Sequence, residues 1–322
     1  MSTTPAFTME RFIDVYGRRV RVRSSGTGPP VLLINGLGAN LATWTPLVRE
    51  LEGFQVISFD APGAGRSESP RTPYTIARVA NVARKVLDEF GHEQADILGY
   101  SLGGAVAQRL ALQHPDRVRR LALVSTSCGI GGVPGALRAL LAVSSPMRLY
   151  GQTGYDLAMK MVELAPAEKQ SQFLLQHSAW HQEAVPSAFG YTLQMAAFSS
   201  FNSLPWLHHI QQPTLVLSGS HDRLMPMANS AIMAAYLPHA RLKVIEGWGH
   251  YLLHDSTSGA GAAVADFFSA ENHASSAAWE SAVTVTREDM ARFVQSAPRS
   301  AHPGFITGGW VRRFYPLRIR RD

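Results

Sequence analysis

The sequence predicts an α/β fold: a mostly parallel central sheet with helices on both faces and an inserted helical cap. Three observations carry that reading. Over the first 126 residues, short continuous apolar runs alternate with stretches of helical periodicity. The alternation stops at Ser127 and resumes only at Pro213. A Gly-x-Ser-x-Gly turn, Gly99-Tyr100-Ser101-Leu102-Gly103, stands where an apolar run meets a helical one.

The elements follow in order. Phe12 to Val15 and Val20 to Arg23 flank Tyr16-Gly17-Arg18-Arg19, a hairpin signal. Val31-Leu32-Leu33-Ile34 reads as a strand buried on both faces, and it ends in Asn35-Gly36-Leu37-Gly38. Thr43 to Leu51 suits a short helix. Phe54 to Phe59 is the next buried strand. The glycine-rich turn after it, Asp60 to Ser67, lacks the Gly-Lys-Ser/Thr ending of a phosphate loop and reads as structural. Apolar residues at 76, 79, 80, 83, 86, 87 and 90 mark one face of an amphipathic helix. The Ser101 turn, a helix over Leu102 to Gln113 and a strand over Val118 to Val124 complete the first run.

Ser127 to Gln212 holds no short apolar strand. It opens on a glycine-rich stretch, Gly129 to Gly135, and carries Trp180, Tyr191, Met195, Phe198, Phe201 and Trp206. That content suits a helical cap over a hydrophobic cleft. Strands return at Pro213 to Gly219 and Leu242 to Ile245, and Gly259 to Phe268 is a closing helix. Beyond Glu271 the chain turns rich in Ala and Ser; Thr286 and Asp289 make a capping-box-like pair that opens a short helix. The expected organisation is a core of residues 1–126 and 213–271, a cap of 127–212 and an extension of 272–322.

At 322 residues, 46% hydrophobic and 17% charged, the chain buries a large core. Its net charge of +6 is concentrated at the end: five Arg and one Asp fall between Arg312 and Asp322. The body is near neutral, which argues against a nucleic-acid-binding face. One cysteine, Cys128, excludes an intramolecular disulfide and speaks against a Cys-based metal site. Neither a signal-peptide core in Met1 to Glu10 nor a run of transmembrane length is present, so the expectation is a cytoplasmic protein. In the tail, Trp310, Phe314 and Tyr315 interleave with arginines, a pattern suited to an anionic, partly apolar surface such as a storage granule.

The chemistry centres on Ser101. Gly-x-Ser-x-Gly between strand and helix is the nucleophile elbow of the α/β-hydrolases. A serine hydroxyl needs a base within hydrogen-bond reach, and the base needs an orienting carboxylate. In this fold they follow in the order serine, acid, histidine. Asp222, after a late strand, suits the acid, and His250, after the last strand, suits the base. Asp255 comes after the histidine, in the wrong order, and His221 stands at the acid's loop. The developing oxyanion needs two backbone N–H donors. Leu102, next to the nucleophile, and Leu37, after the Val31 strand, are the expected pair. No metal or organic cofactor is required. His208 and His209 read as surface residues.

Three segments carry a family resemblance: Asn-Gly-Leu-Gly-Ala-Asn-Leu at 35–41, Phe-Asp-Ala-Pro-Gly-Ala-Gly-Arg-Ser at 59–67, and Trp-Leu-His-His-Ile-Gln-Gln-Pro-Thr-Leu-Val-Leu at 206–217. From about residue 10 to about residue 270 the chain resembles the intracellular poly(3-hydroxyalkanoate) depolymerases of the medium-chain-length type. That resemblance implies hydrolysis of a storage polyester, with the family's triad on Ser101, Asp222 and His250. Two departures stand out. The family usually has Trp after the nucleophile, where this chain has Leu102, and an Asp-richer loop before the acid, where it has Ser220-His221. A general carboxylesterase or lipase, a cofactor-free haloperoxidase and a non-enzymatic ligand receptor are the alternative readings.

Overall fold

A computed structural model describes residues 8–145, 151–162, 177 and 179–297. Eight strands form one sheet in the order β1-β2-β4-β3-β5-β6-β7-β8. β1 (Thr8–Asp14) and β2 (Arg19–Ser25) are an antiparallel hairpin. Its turn is set by Tyr16 and Gly17, both at positive φ (57° and 73°). That combination matches the twist of a two-residue hairpin turn. β2 also pairs antiparallel with β4 (Gln55–Phe59). Every other pairing is parallel: β3 (Pro30–Ile34), β5 (Ala95–Tyr100), β6 (Val118–Val124), β7 (Thr214–Gly219) and β8 (Ala240–Ile245).

Period-two alternation divides the strand side chains between two cores. Leu32, Ile34, Ile57, Ile97, Leu121 and Val216 face one side, against α2 (Ile76–Glu89), α3 (Leu102–Gln113) and α8 (Met227–Tyr236). Val31, Leu33, Leu98, Val124, Leu215 and Leu217 face the other, against α1 (Thr45–Glu50) and α9 (Ala260–Ser269). With apolar partners above and below, the central strands need no polar face. This is why their sequence runs are continuously hydrophobic.

Between β6 and β7 the described residues form four α-helices, a 3-10 turn (Leu207–His209) and no strand of the sheet: the α-helices are α4 (Leu137–Ser144), α5 (Gln152–Val162), α6 (179–183) and α7 (Ala188–Ser199). A lone bridge between Gly129 and Asn202 draws the two ends of this insertion together. Its second half is fastened to the core by polar contacts. Arg21, only 2% exposed, reaches Glu183 of α6 at 2.8 Å while also holding Glu10 and Asp60. The Asn40 amide donates to the carbonyls of Trp180 and Ala184, and Gly38 N–H donates to the Gln194 side chain of α7.

Residues 272–297 pack on the core beside β8. Trp279, in α10 (Ala277–Glu280), stacks on Phe267 at 5.6 Å. Val283 exchanges both backbone hydrogen bonds with Leu242. α11 (Arg287–Ser296) opens with the Thr286–Asp289 capping box and buries Met290 and Ala291. A cut at residue 271 therefore passes through packed structure. The basic, aromatic tail lies outside the described residues, and with it the expected granule contact. Among the described residues no helix is long and apolar enough to cross a membrane. No group of three or more His, Cys, Asp or Glu among them could hold a metal ion.

Candidate active site

The site begins at the junction of β5 and α3. Ser101 adopts φ 53°, ψ −122°, a conformation strained for a residue with a Cβ. The surroundings enforce it. Ser101 N–H donates to Val124 O at 2.9 Å, and its carbonyl accepts from Thr126 Oγ1 and Gly104 N. The flanking glycines are steric necessities: a Cβ at Gly103 would lie 1.9 Å from Ile34 O, and one at Gly99 2.6 Å from Gly103 O. The result holds the Ser101 hydroxyl at the N-terminus of α3, whose dipole favours negative charge there.

Two loops bring the partners. After β7, Asp222 turns back so that Oδ1 accepts the amides of Leu224 (2.9 Å) and Met225 (2.7 Å). Its Oδ2 meets His250 Nδ1 at 2.8 Å. After β8, His250 places Nε2 3.2 Å from Ser101 Oγ. All three are buried. Because a carboxylate only accepts, the network assigns the proton to Nδ1 and leaves the Nε2 lone pair toward the serine. The structure thus brings together the serine, acid and histidine expected from chain order. Asp255 instead caps the 3-10 turn Ser256–Ser258, accepting from Thr257 N and Oγ1. His221, His208 and His209 are exposed.

Leu37 and Leu102 border the same cavity as Ser101. The loop bearing Leu37 passes so near the nucleophile that a Cβ at Gly36 would lie 3.3 Å from Ser101 Cβ. Asn35 anchors that loop. Its side chain accepts from Gly36 N–H and donates to Asn40 O and Thr43 Oγ1. An amide thereby fixes the backbone beside the nucleophile.

The cavity holds about 800 Å³. Val133, Leu140, Met195 and Phe198 give it an apolar wall from the insertion. Of the aromatic residues expected to cover the cleft, Phe198 lines it. Tyr191 is wedged against Gly38, and Trp206 pairs with Phe201 away from it. A second wall consists of rings missed by sequence reasoning: Tyr155, His177, His181, Tyr251 and His254. No local motif marks these histidines, since their neighbours come from distant parts of the chain.

His254 is 3% exposed, and neither ring nitrogen has a hydrogen-bond partner among the described residues. Burial, with a smaller contribution from the neighbouring His250 charge, depresses its pKa from 6.5 to about 3. Between those values the unfolded chain holds a proton that the folded chain lacks. The stability tied to this group is therefore complete above pH 6.5 and is lost as pH falls, by up to about 1.4 kcal/mol per pH unit. His254→Phe should flatten the fall in unfolding free energy between pH 7 and pH 5. Parallel slopes for the variant and the parent in denaturant titrations would refute the assignment.

A family model described as alpha/beta hydrolase fold matches residues 29–162 and 181–257. The chain is 35% identical over 231 residues to the poly(3-hydroxyalkanoate) depolymerase of Ectopseudomonas oleovorans, across 70% of this chain and 78% of that protein. It is 31% identical over 250 residues to the 2-hydroxymuconate semialdehyde hydrolase of Pseudomonas putida, across 75% of this chain and 87% of that one. The crystal structure of the enol-lactonase from Burkholderia xenovorans LB400 superposes with a TM-score of 0.70 at 26% identity, covering 81% of this chain and all of that chain.

Proposed function

The chain belongs to the α/β-hydrolase fold family, and from that premise we propose that it is a serine esterase of 3-hydroxyacyl esters. Its substrate is poly(3-hydroxyalkanoate) polyester or oligomers of it. The observation that carries the reading is the hydrogen-bonded line from Asp222 through His250 to Ser101, opening on a large cavity with an apolar wall. The likeness to a polyester depolymerase supports the choice of ester.

In the proposed reaction Ser101 Oγ attacks the ester carbonyl while His250 Nε2 takes its proton. Asp222 holds the imidazole and stabilises its cation. The amides of Leu37 and Leu102 receive the oxyanion. Collapse breaks the C–O bond, and His250 passes its proton to the departing alcohol. Water, deprotonated by His250, then attacks the acyl-serine; release of the acid restores Ser101. These steps call on no metal and no organic cofactor.

The test compares polymer granules with soluble p-nitrophenyl esters. Release of 3-hydroxyacids from granules, abolished by a fluorophosphonate that labels Ser101, is the expected result. Hydrolysis of the soluble esters without attack on polymer would instead favour a general carboxylesterase. Leu102 supports that second reading, because it borders the cavity where the resembled family usually carries the larger Trp.

A further inference from the structure

We infer that Gln194, on α7 of the insertion, is a positioning residue for the oxyanion: it holds the loop that aims the Leu37 amide at the reacting carbonyl. The inference rests on the esterase reading above and says which part of the insertion serves the chemical step.

Three successive backbone amides follow Asn35. The first, Gly36 N–H, donates to the Asn35 side chain at 2.9 Å, and the third, Gly38 N–H, donates to Gln194 Oε1 at 2.9 Å. The middle one, Leu37 N–H, makes no hydrogen bond to the described residues, and Leu37 borders the cavity beside Ser101. The open donor is thus gripped on both sides by side-chain amides, one from the core and one from the insertion. Gln194 is itself buried and spends both ends of its amide, since Nε2 donates to Pro62 O at 3.3 Å in the turn after β4. A side chain fixed at both ends passes its position on to the loop. Gly38 adds a steric stop: it has φ 67°, and a Cβ there would lie 2.7 Å from the Tyr191 ring.

The face of α7 that makes these contacts also walls the cavity. Tyr191, Gln194, Met195 and Phe198 follow the i, i+3, i+4, i+7 spacing of one helical face. The first two meet the loop, and the last two line the cavity. An oxyanion donor is worth most when it is preorganised, and a misplacement of about 1 Å costs on the order of 10²-fold. Without Gln194 the Gly38 N–H is buried and unpaired. The loop must then turn to satisfy it and carries Leu37 N–H along. The loss should fall on kcat, because the charge on the oxygen develops only in the transition state.

The experiment measures kcat and KM on p-nitrophenyl octanoate, with inhibition by octyl trifluoromethyl ketone and by decanol. Ser101 Oγ adds to the ketone carbon, its proton passes to His250 Nε2, and the carbonyl electron pair becomes an oxyanion at the Leu37 and Leu102 amides. Decanol fills the cavity without forming that charge. Gln194→Met, close in volume but lacking both polar ends, should lower kcat and ketone affinity together by about tenfold to a hundredfold, with KM and decanol affinity within about twofold. Gln194→Glu should recover part of both losses. A buried carboxyl group favours its neutral form, which accepts from Gly38 and donates to Pro62 as the amide does. Glu183→Gln weakens a different tie of the insertion, the one to Arg21, and should leave kcat at the parental value. If the Met variant does not fold, Gln194→Asn, one methylene too short to reach both partners, takes its place. Losses confined to KM and decanol affinity, unchanged kcat and ketone affinity, or an equal kcat loss in Glu183→Gln would overturn the inference and leave the esterase reading standing. A parent enzyme that neither cleaves the ester nor binds the ketone overturns both.

Discussion

Ser101→Ala should leave a folded protein whose kcat/KM on its best substrate is about a millionfold lower. The size of the loss follows from the arrangement of groups. Ser101 Oγ is the atom at which His250 Nε2 is aimed, 3.2 Å away, and among the described residues no second hydroxyl takes that position in the hydrogen-bond network. His250 and Asp222 remain paired in the variant, and the cavity is unchanged. The residual rate is then what oxyanion stabilisation and binding alone provide. Stability should change little, because the contacts that pin residue 101 are made by its backbone: N–H to Val124, and carbonyl to Thr126 and Gly104. Steady-state kinetics with a matched melting curve check both parts. A variant that retained more than about a hundredth of parental activity would exclude Ser101 as the nucleophile, since a triad serine contributes about 10⁶-fold.

Asp222→Asn should cost about 10⁴-fold in kcat, for a different reason. One carboxylate oxygen accepts two amides, from Leu224 and Met225, and the other accepts from His250 Nδ1. An asparagine satisfies those two amides only with its carbonyl oxygen, which turns its NH₂ toward His250. The ring must then present a bare Nδ1 and carry its proton on Nε2. In that tautomer it cannot accept the Ser101 proton. Asp255→Asn should stay within about twofold of the parent, because that carboxylate does no more than cap a surface turn, a role worth ~1 kcal/mol of stability. The reverse ranking of the two variants would transfer the acid's role to Asp255.

Much of this architecture was legible in the sequence wherever the constraint was local. The elbow could be read because Gly99 and Gly103 answer to backbone clashes within one turn. The α2 helix could be read because its buried residues recur at helical spacing. The order of acid and histidine followed from which strand each loop leaves. What escaped depends on contacts between distant segments. His254 looks like any histidine until Trp44, Tyr100 and His177 are packed around it. Arg21 resembles an ordinary strand arginine until Glu10, Asp60 and Glu183 converge on it. Residues 272–297 read as an extension because only a few anchors, Trp279, Val283 and Met290, are spread through Ala- and Ser-rich chain. Their apolar partners belong to β8, α8 and α9.

The two margins of the sheet differ in their exposure to other molecules. Among the described residues β1 forms one margin and pairs on a single side, with Met9 and Phe12 about half exposed. β8 forms the other, and there Val283 occupies the outward N–H and carbonyl of Leu242 between Arg241 and Lys243. A bare strand margin is a template on which a second chain can add, and natural proteins block such margins with charge and with covering segments. The stretch around Val283 contributes nothing to the cavity among the described residues. It covers that margin against intermolecular strand pairing, apart from the residues that line the cavity.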